Sequence, residues 1–225
     1  MTARRSRADV VAEIERTGVV AVMRLHDASL GRDVARALAD GGLTALEVTM
    51  TVPRATELIA ELAASLPAEC VIGAGTVVDA SAARDVIHAG AAFVVSPVLV
   101  PQVVDVCRES NVAVVPGCFS PTEIFSASAA GADIVKVFPA TSLGPSFIRD
   151  LRAPLPDLKL MPTGGVTRQN AGDWIRAGAV AIGVGTALID AQAVRDRRFD
   201  LLTGAARYFI RAVAEARSTP AGVRT

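Results

Sequence analysis

Short apolar runs alternate with longer amphipathic ones along most of the chain. VVAVMRL (19–25), ALEVTM (45–50), VIGAGTV (71–77), FVVSPV (93–98), AVVPGC (113–118), IVKVFP (134–139), KLMPTG (159–164) and AIGVGT (181–186) read as eight buried strands. Stretches between them, such as SLGRDVARALAD and PRATELIAELAASL, repeat apolar residues at three- and four-residue steps, the period of a helix with one buried face. Gly42, Gly90, Gly131 and Gly178 each follow a helical run and precede the next strand, where a left-handed residue ends a helix. Ser120-Pro121-Thr122-Glu123 has a capping serine, a proline at the first helical position and a glutamate at the third. Asp79, and Thr167 with Asn170, mark further helix starts.

Eight strands alternating with helices admit an open doubly wound sheet or a closed barrel. Even spacing, the count of eight and the lack of a GxGxxG after the first strand favour a (β/α)8 TIM barrel. The expected architecture is one domain over 1–225, with an N-terminal helix within 1–17 covering the N-terminal end of the barrel. The tail, 218–225, is expected to fray. A chain of 225 residues that is 51% hydrophobic can bury a large core without disulfide or metal support.

Charge narrows the function. Lys+Arg and Asp+Glu are 23 each, so no basic surface for nucleic acid or an anionic membrane is expected. No run reaches the length of a membrane span, and the N-terminal stretch lacks the apolar core of a signal peptide. Cys70, Cys107 and Cys118 are unevenly spaced with no CxxC, as expected of reduced thiols in a cytoplasmic protein. His26 and His88 are the only histidines, and neither has a second ligand in view, so no metal is expected.

In such a barrel, chemistry gathers at the C-terminal strand ends. Lys136 interrupts the apolar run ADIVKVFPA and is one of only two lysines, with Lys159. An ordinary lysine amine, with a pKa near 10.4, costs about 4.6 kcal/mol to hold neutral at pH 7 in water, and apolar surroundings reduce that cost. A neutral amine condenses with a ketone to give an imine, an electron sink for breaking a carbon–carbon bond. Glu47 sits mid-strand in ALEVTM, where a carboxyl short of solvent can trade protons. The bland alternative is that Glu47 and Lys136 form a buried ion pair.

PTGGVT (162–167) and GVGTAL (183–188) place glycine turns at helix starts after the seventh and eighth strands, a frequent phosphate site in barrels. Arg24 ends the first strand and can clamp a carboxylate or phosphate, or salt-bridge across the rim. Thr76 offers a hydroxyl and an amide, while Phe138 and Pro97 give an apolar wall.

In order, LEVTMTVPRA, VIGAGTV, FVVSP, VVPGCFSPTE, IVKVFPA, MPTGGV and IGVGTAL resemble the 2-keto-3-deoxy-6-phosphogluconate (KDPG) aldolase family, which includes 4-hydroxy-2-oxoglutarate (KHG) aldolases. The similarity runs over about residues 15–190. It implies a homotrimeric class I aldolase, a lyase without metal or other cofactor, whose small-molecule substrate is cleaved to pyruvate. It implies Lys136 as the Schiff-base lysine, Glu47 as the proton-transferring residue and Thr76 on the pyruvate carboxylate. It further implies Phe138 against the pyruvyl group, and Gly164, Gly165 and Thr186 on phosphate.

The chain departs from the family pattern at three places. Thr51 stands where many members have an arginine four residues after the glutamate; a branch with arginine at the end of strand one is similar to this chain, so Arg24 is expected to supply that charge. Thr186 replaces a serine, and Val98 replaces a glycine after Ser-Pro. The expected reaction is reversible cleavage of 2-dehydro-3-deoxy-6-phosphogluconate to pyruvate and glyceraldehyde 3-phosphate. The alternative substrates are 2-dehydro-3-deoxy-6-phosphogalactonate and 4-hydroxy-2-oxoglutarate. Rival readings are a phosphate-binding isomerase or epimerase barrel, and a keto-acid-binding barrel without turnover.

Overall fold

In a computed structural model, residues 5–218 are described. The frayed tail expected at 218–225 lies outside the described residues, apart from Ser218, which ends the last helix; residues 1–4 of the expected N-terminal segment also lie outside them. The strands are β1 (Val19–Met23), β2 (Ala45–Thr49), β3 (Val71–Gly75), β4 (Phe93–Val95), β5 (Ala113–Val115), β6 (Gly117–Cys118), β7 (Val135–Val137), β8 (Leu160–Pro162) and β9 (Ile182–Val184). The helices are α1 (Arg7–Thr17), α2 (Gly31–Asp40), α3 (Ala55–Ser65), α4 (Ala80–His88), α5 (Pro101–Glu109), α6 (Pro121–Ala129), α7 (Pro145–Arg152), α8 (Ala171–Arg176), α9 (Ala191–Arg195) and α10 (Phe199–Ser218).

Each of the eight expected runs contains strand, but the fifth is split. Pro116 has no N–H to donate to a ladder and separates β5 from β6. Its carbonyl still accepts from the Lys136 amide at 2.9 Å. All strand pairs are parallel, in one sheet ordered β5-β4-β3-β2-β1-β9 and another ordered β6-β7-β8. A bridge between Thr163 and Gly183 links the end of β8 to β9, and the Val180 amide donates to the Leu160 carbonyl at 3.0 Å.

Every strand is buried along its whole length, which explains the apolar runs without alternation. Successive side chains nevertheless point to opposite faces. Val19, Ala21, Met23, Leu46, Val48, Ile72, Ala74, Val137 and Val184 face the helices. Val20, Ala45, Val71, Phe93, Val95, Ala113, Met161 and Ala181, from both sheets, share a separate interior cluster with Val10, Val11 and Ile14 of α1. So α1 caps the interior, as its position ahead of β1 suggested. Ser6 and Asp9 form a capping box at its start, and Gly18, at φ 69°, ends it. Arg7 fixes it further, donating through Nε to both oxygens of Asp133 at 2.8 and 2.9 Å; Asp133 also accepts from the Val114 amide. The expected helix starts hold at Asp79, whose side chain accepts from Ala82, and at Ser120, which forms a capping box with Glu123. Asn170 works differently: its side chain accepts from the Thr167 amide and donates to the Gly165 carbonyl, bracing the turn before α8.

Candidate active site

Residue parity decides where the two mid-strand charges point. Glu47 shares the face of Ala45, and Lys136 that of Ile134, both members of the interior cluster. Both side chains therefore enter the interior above its apolar floor, on the side away from α1. Glu47 is 1% exposed and Lys136 3%. Neither carboxylate oxygen of Glu47 has a hydrogen-bond partner. The Lys136 ammonium nitrogen lies over the Phe138 ring, 4.9 Å from its centre. The pair is thus not a hydrogen-bonded ion pair that merely neutralises two charges.

Burial raises the Glu47 pKa above the usual carboxyl range; the positive charges of Lys136 and Arg24 pull it back, but desolvation is the larger effect. The site therefore holds a carboxyl that tends to keep its proton, in the same interior as an amine. Gly75, at the end of β3, lies directly against the Glu47 side chain.

The loops after β8 and β9 make a small recess lined by Val22, Arg24, Thr163, Gly164, Gly165 and Thr186, among others. Gly164 and Gly165 both have positive φ, 85° and 75°, a conformation natural to glycine. Gly164 also faces the Phe138 ring, so this turn and the lysine's aromatic neighbour share one wall. Arg24 is exposed and its guanidinium reaches the Gly185 side of the recess. Thr186 is exposed at its rim.

Thr76 follows Gly75 with φ 62°, unusual for a β-branched residue and a mark of local strain at the interior's edge. Pro97 is half-buried after β4, and its carbonyl lies close to Gly117. Val98 is 56% exposed and directed outward. Thr51 is exposed and its hydroxyl pairs with that of Thr49 at 2.7 Å.

Thr163 belongs to the same constellation, although in the sequence it stands out only as part of a strand end. It is 3% exposed, and its hydroxyl oxygen has no hydrogen-bond partner. Its position beside Gly164 was the only sequence signal. His26 and His88 are exposed, and no group of three or more potential metal ligands occurs among the described residues. Burial pushes Cys70 up to about 11 and Cys107 and Cys118 up to about 12, so none is an activated thiolate. Two open clefts beside α1 gather charges such as Arg7 and Arg16 that are already held in ion pairs.

The profile described as KDPG and KHG aldolase matches residues 10–204. The chain belongs to the KDPG and KHG aldolase family. A probable 2-dehydro-3-deoxy-6-phosphogalactonate aldolase of Rhizobium meliloti is 36% identical over 76% of this chain and 81% of its own length. A 2-dehydro-3-deoxy-phosphogluconate aldolase of Treponema pallidum is 35% identical, over 84% of this chain and 90% of its own. Among solved structures, a KDPG aldolase of Legionella pneumophila, with pyruvate captured at low pH as a covalent carbinolamine, superposes with a TM-score of 0.82. It is 27% identical and covers 88% of this chain and 96% of its own.

Proposed function

We propose that the chain is a class I aldolase that reversibly cleaves 2-dehydro-3-deoxy-6-phosphogluconate to pyruvate and glyceraldehyde 3-phosphate. The observation that carries this reading is a buried lysine and a buried, unpartnered carboxyl on one interior face, beside a glycine turn suited to an anion. The names of the relatives support the substrate class; two C4 epimers occur among them, and 2-dehydro-3-deoxy-6-phosphogalactonate is the second reading for that reason. A third substrate, 4-hydroxy-2-oxoglutarate, lacks the phosphate that the recess would bind.

The proposed course begins with the neutral Lys136 amine attacking the C2 ketone. Glu47 protonates the carbinolamine oxygen, directly or through a water, and water leaves to give the iminium ion. Glu47, now a carboxylate, takes the C4 hydroxyl proton. The C3–C4 bond breaks, its electrons enter the iminium, and the aldehyde departs. The resulting enamine is protonated at C3, and water releases pyruvate and the free amine. The iminium is the electron sink, so this course requires no added cofactor.

Thr76 and Arg24 would hold the carboxylate, Arg24 supplying the charge that Thr51 lacks. Phe138 and Pro97 would enclose the pyruvyl group. Gly164, Gly165 and Thr186 would bind phosphate through backbone amides and a hydroxyl.

The proposal extends to architecture. Closure of the two sheets into a (β/α)8 barrel is supported by the Thr163–Gly183 bridge, by the continuous passage from β5 into β6, and by the interior cluster common to both sheets. Homotrimeric assembly in the cytoplasm is proposed from the resemblance. Turnover of the three substrates, followed as pyruvate release, tests the activity. Cleavage of a phosphorylated substrate at least tenfold faster than 4-hydroxy-2-oxoglutarate is expected; no pyruvate from any of them would overturn the proposal.

A further inference from the structure

Gly75 stands in ordinary strand backbone that any residue could adopt, so its conformation does not require glycine. Its surroundings give glycine a role. A Cβ placed there would meet three atoms of one side chain: Glu47 Oε1 at 1.9 Å, Cδ at 2.6 Å and Cγ at 2.7 Å. The register explains the approach: Glu47 pairs with Gly73, and Thr49 with Gly75, so the glutamate lies across two β3 positions on the inner face that carry no side chain. One step below, the Phe93 ring fills the space over Gly73, where a Cβ would lie 2.4 Å from the ring. The carboxylate thus rests in a slot floored by an aromatic ring and walled by bare backbone.

We propose that Gly75 is a positioning residue: by leaving its inner face empty, it seats the Glu47 carboxyl against β3 and keeps it from closing on Lys136. The inference rests on the aldolase reading and adds to it a reason for the glycine before Thr76. The slot gives Glu47 no hydrogen bond to trade for, so the proton-transfer group stays poised rather than consumed by a partner. The charges that act on it are Lys136 on β7 and Arg24 beyond β1. A carboxyl pushed out of the slot towards them gains ionic attraction. Its raised pKa then falls as ionic attraction grows against desolvation.

The test is a double-mutant cycle of Gly75→Ala and Glu47→Ala, read in three ways: borohydride trapping of pyruvate, exchange of the pyruvate methyl protons in deuterium oxide against pH, and thermal melting. Exchange reports proton transfer at C3 of the enamine, and trapping reports the lysine. Gly75→Ala should slow exchange by about a hundredfold. It should move the limb of the pH profile governed by the glutamate to lower pH and still yield the trapped adduct. In the Glu47→Ala background, which removes all three colliding atoms, the same alanine should change exchange by less than about threefold and leave the melting temperature unmoved. Should Gly75→Ala alone fail to fold, the double variant must fold. Equal losses in both backgrounds, or near-normal exchange and an unmoved pH profile in Gly75→Ala, would overturn the inference while leaving the aldolase reading intact. Absence of a pyruvyl adduct in the wild-type protein would instead refute that reading, and this inference with it.

Discussion

Replacing Glu47 with glutamine keeps the shape of the side chain and removes its charge, so it isolates what burial does to the carboxyl. Both oxygens are without partners and the residue is 1% exposed. Its folded-state pKa is raised, with desolvation outweighing the attraction of Lys136 and Arg24. In the unfolded chain a glutamate titrates near 4.3. Below that pH both states carry the proton and the group contributes equally to each. As pH rises, the unfolded chain releases the proton while the folded protein retains it. Stability conferred by the neutral carboxyl is therefore lost as pH climbs from the unfolded value through the raised folded value. Between the two, the slope is about −1.4 kcal/mol per pH unit for one proton. Glutamine has no such slope, and the other carboxyls cancel in the difference between wild type and variant. Denaturant unfolding from pH 4 to 8 in half-unit steps measures that difference directly. Wild type should lose ground to Glu47→Gln as pH rises above the unfolded glutamate value, and the loss should stop only where the folded carboxyl itself ionises. A flat difference, or one that favours wild type as pH rises, would mean that Glu47 is ionised and paired in the fold. The same variant should lower kcat by about 10²- to 10⁴-fold if Glu47 relays protons.

Arg24→Gln should raise the pyruvate concentration needed for half-maximal trapping by about tenfold, as expected for loss of a charge-assisted contact to a carboxylate; an effect confined to the KM of phosphorylated substrates would move Arg24 to the phosphate end of the recess. Asn170→Ala removes the two hydrogen bonds that brace the Gly164–Gly165 turn and should raise the KM of a phosphorylated substrate several-fold, without altering the trapping of pyruvate. Thr163→Val deletes a buried hydroxyl that has no partner in the fold, so stability should hold or rise by up to about 1 kcal/mol; if the hydroxyl binds substrate, affinity falls at the same time, measurable by urea titration and by KM.

Lys136 and Glu47 were legible because each breaks an apolar run, and parity along a strand then sends them inward. The eight strands and α1 were legible for a related reason: buried parallel strands carry continuous apolar residues, and helices carry the longer period. The strand pattern ran past the true ends, to Leu25 and Val98 where β1 and β4 stop at Met23 and Val95, because apolar residues continue into the loops. Pro116 was visible, but its splitting of the fifth strand depends on which neighbour needs an N–H. Alternation of strand and helix says nothing about α10, the 20-residue helix after the last strand, whose packing on α2 and α8 is a long-range fact. The unpartnered Thr163 hydroxyl and the slot at Gly75 were not legible at all. Both arise from which residue of a neighbouring strand lies alongside, and register is absent from a local pattern.

If the chain is a class I aldolase, Lys136 forms a covalent bond with a keto acid. Borohydride reduction in the presence of pyruvate, followed by intact-mass measurement and peptide mapping, tests it most directly. The chain has only two lysines, and the other, Lys159, is partly exposed and paired with Glu15 at 2.6 Å. One reduced pyruvyl adduct per chain is expected, on Lys136, and none in Lys136→Ala. An adduct on Lys159, one that persists in Lys136→Ala, or no adduct while pyruvate binds would contradict that assignment.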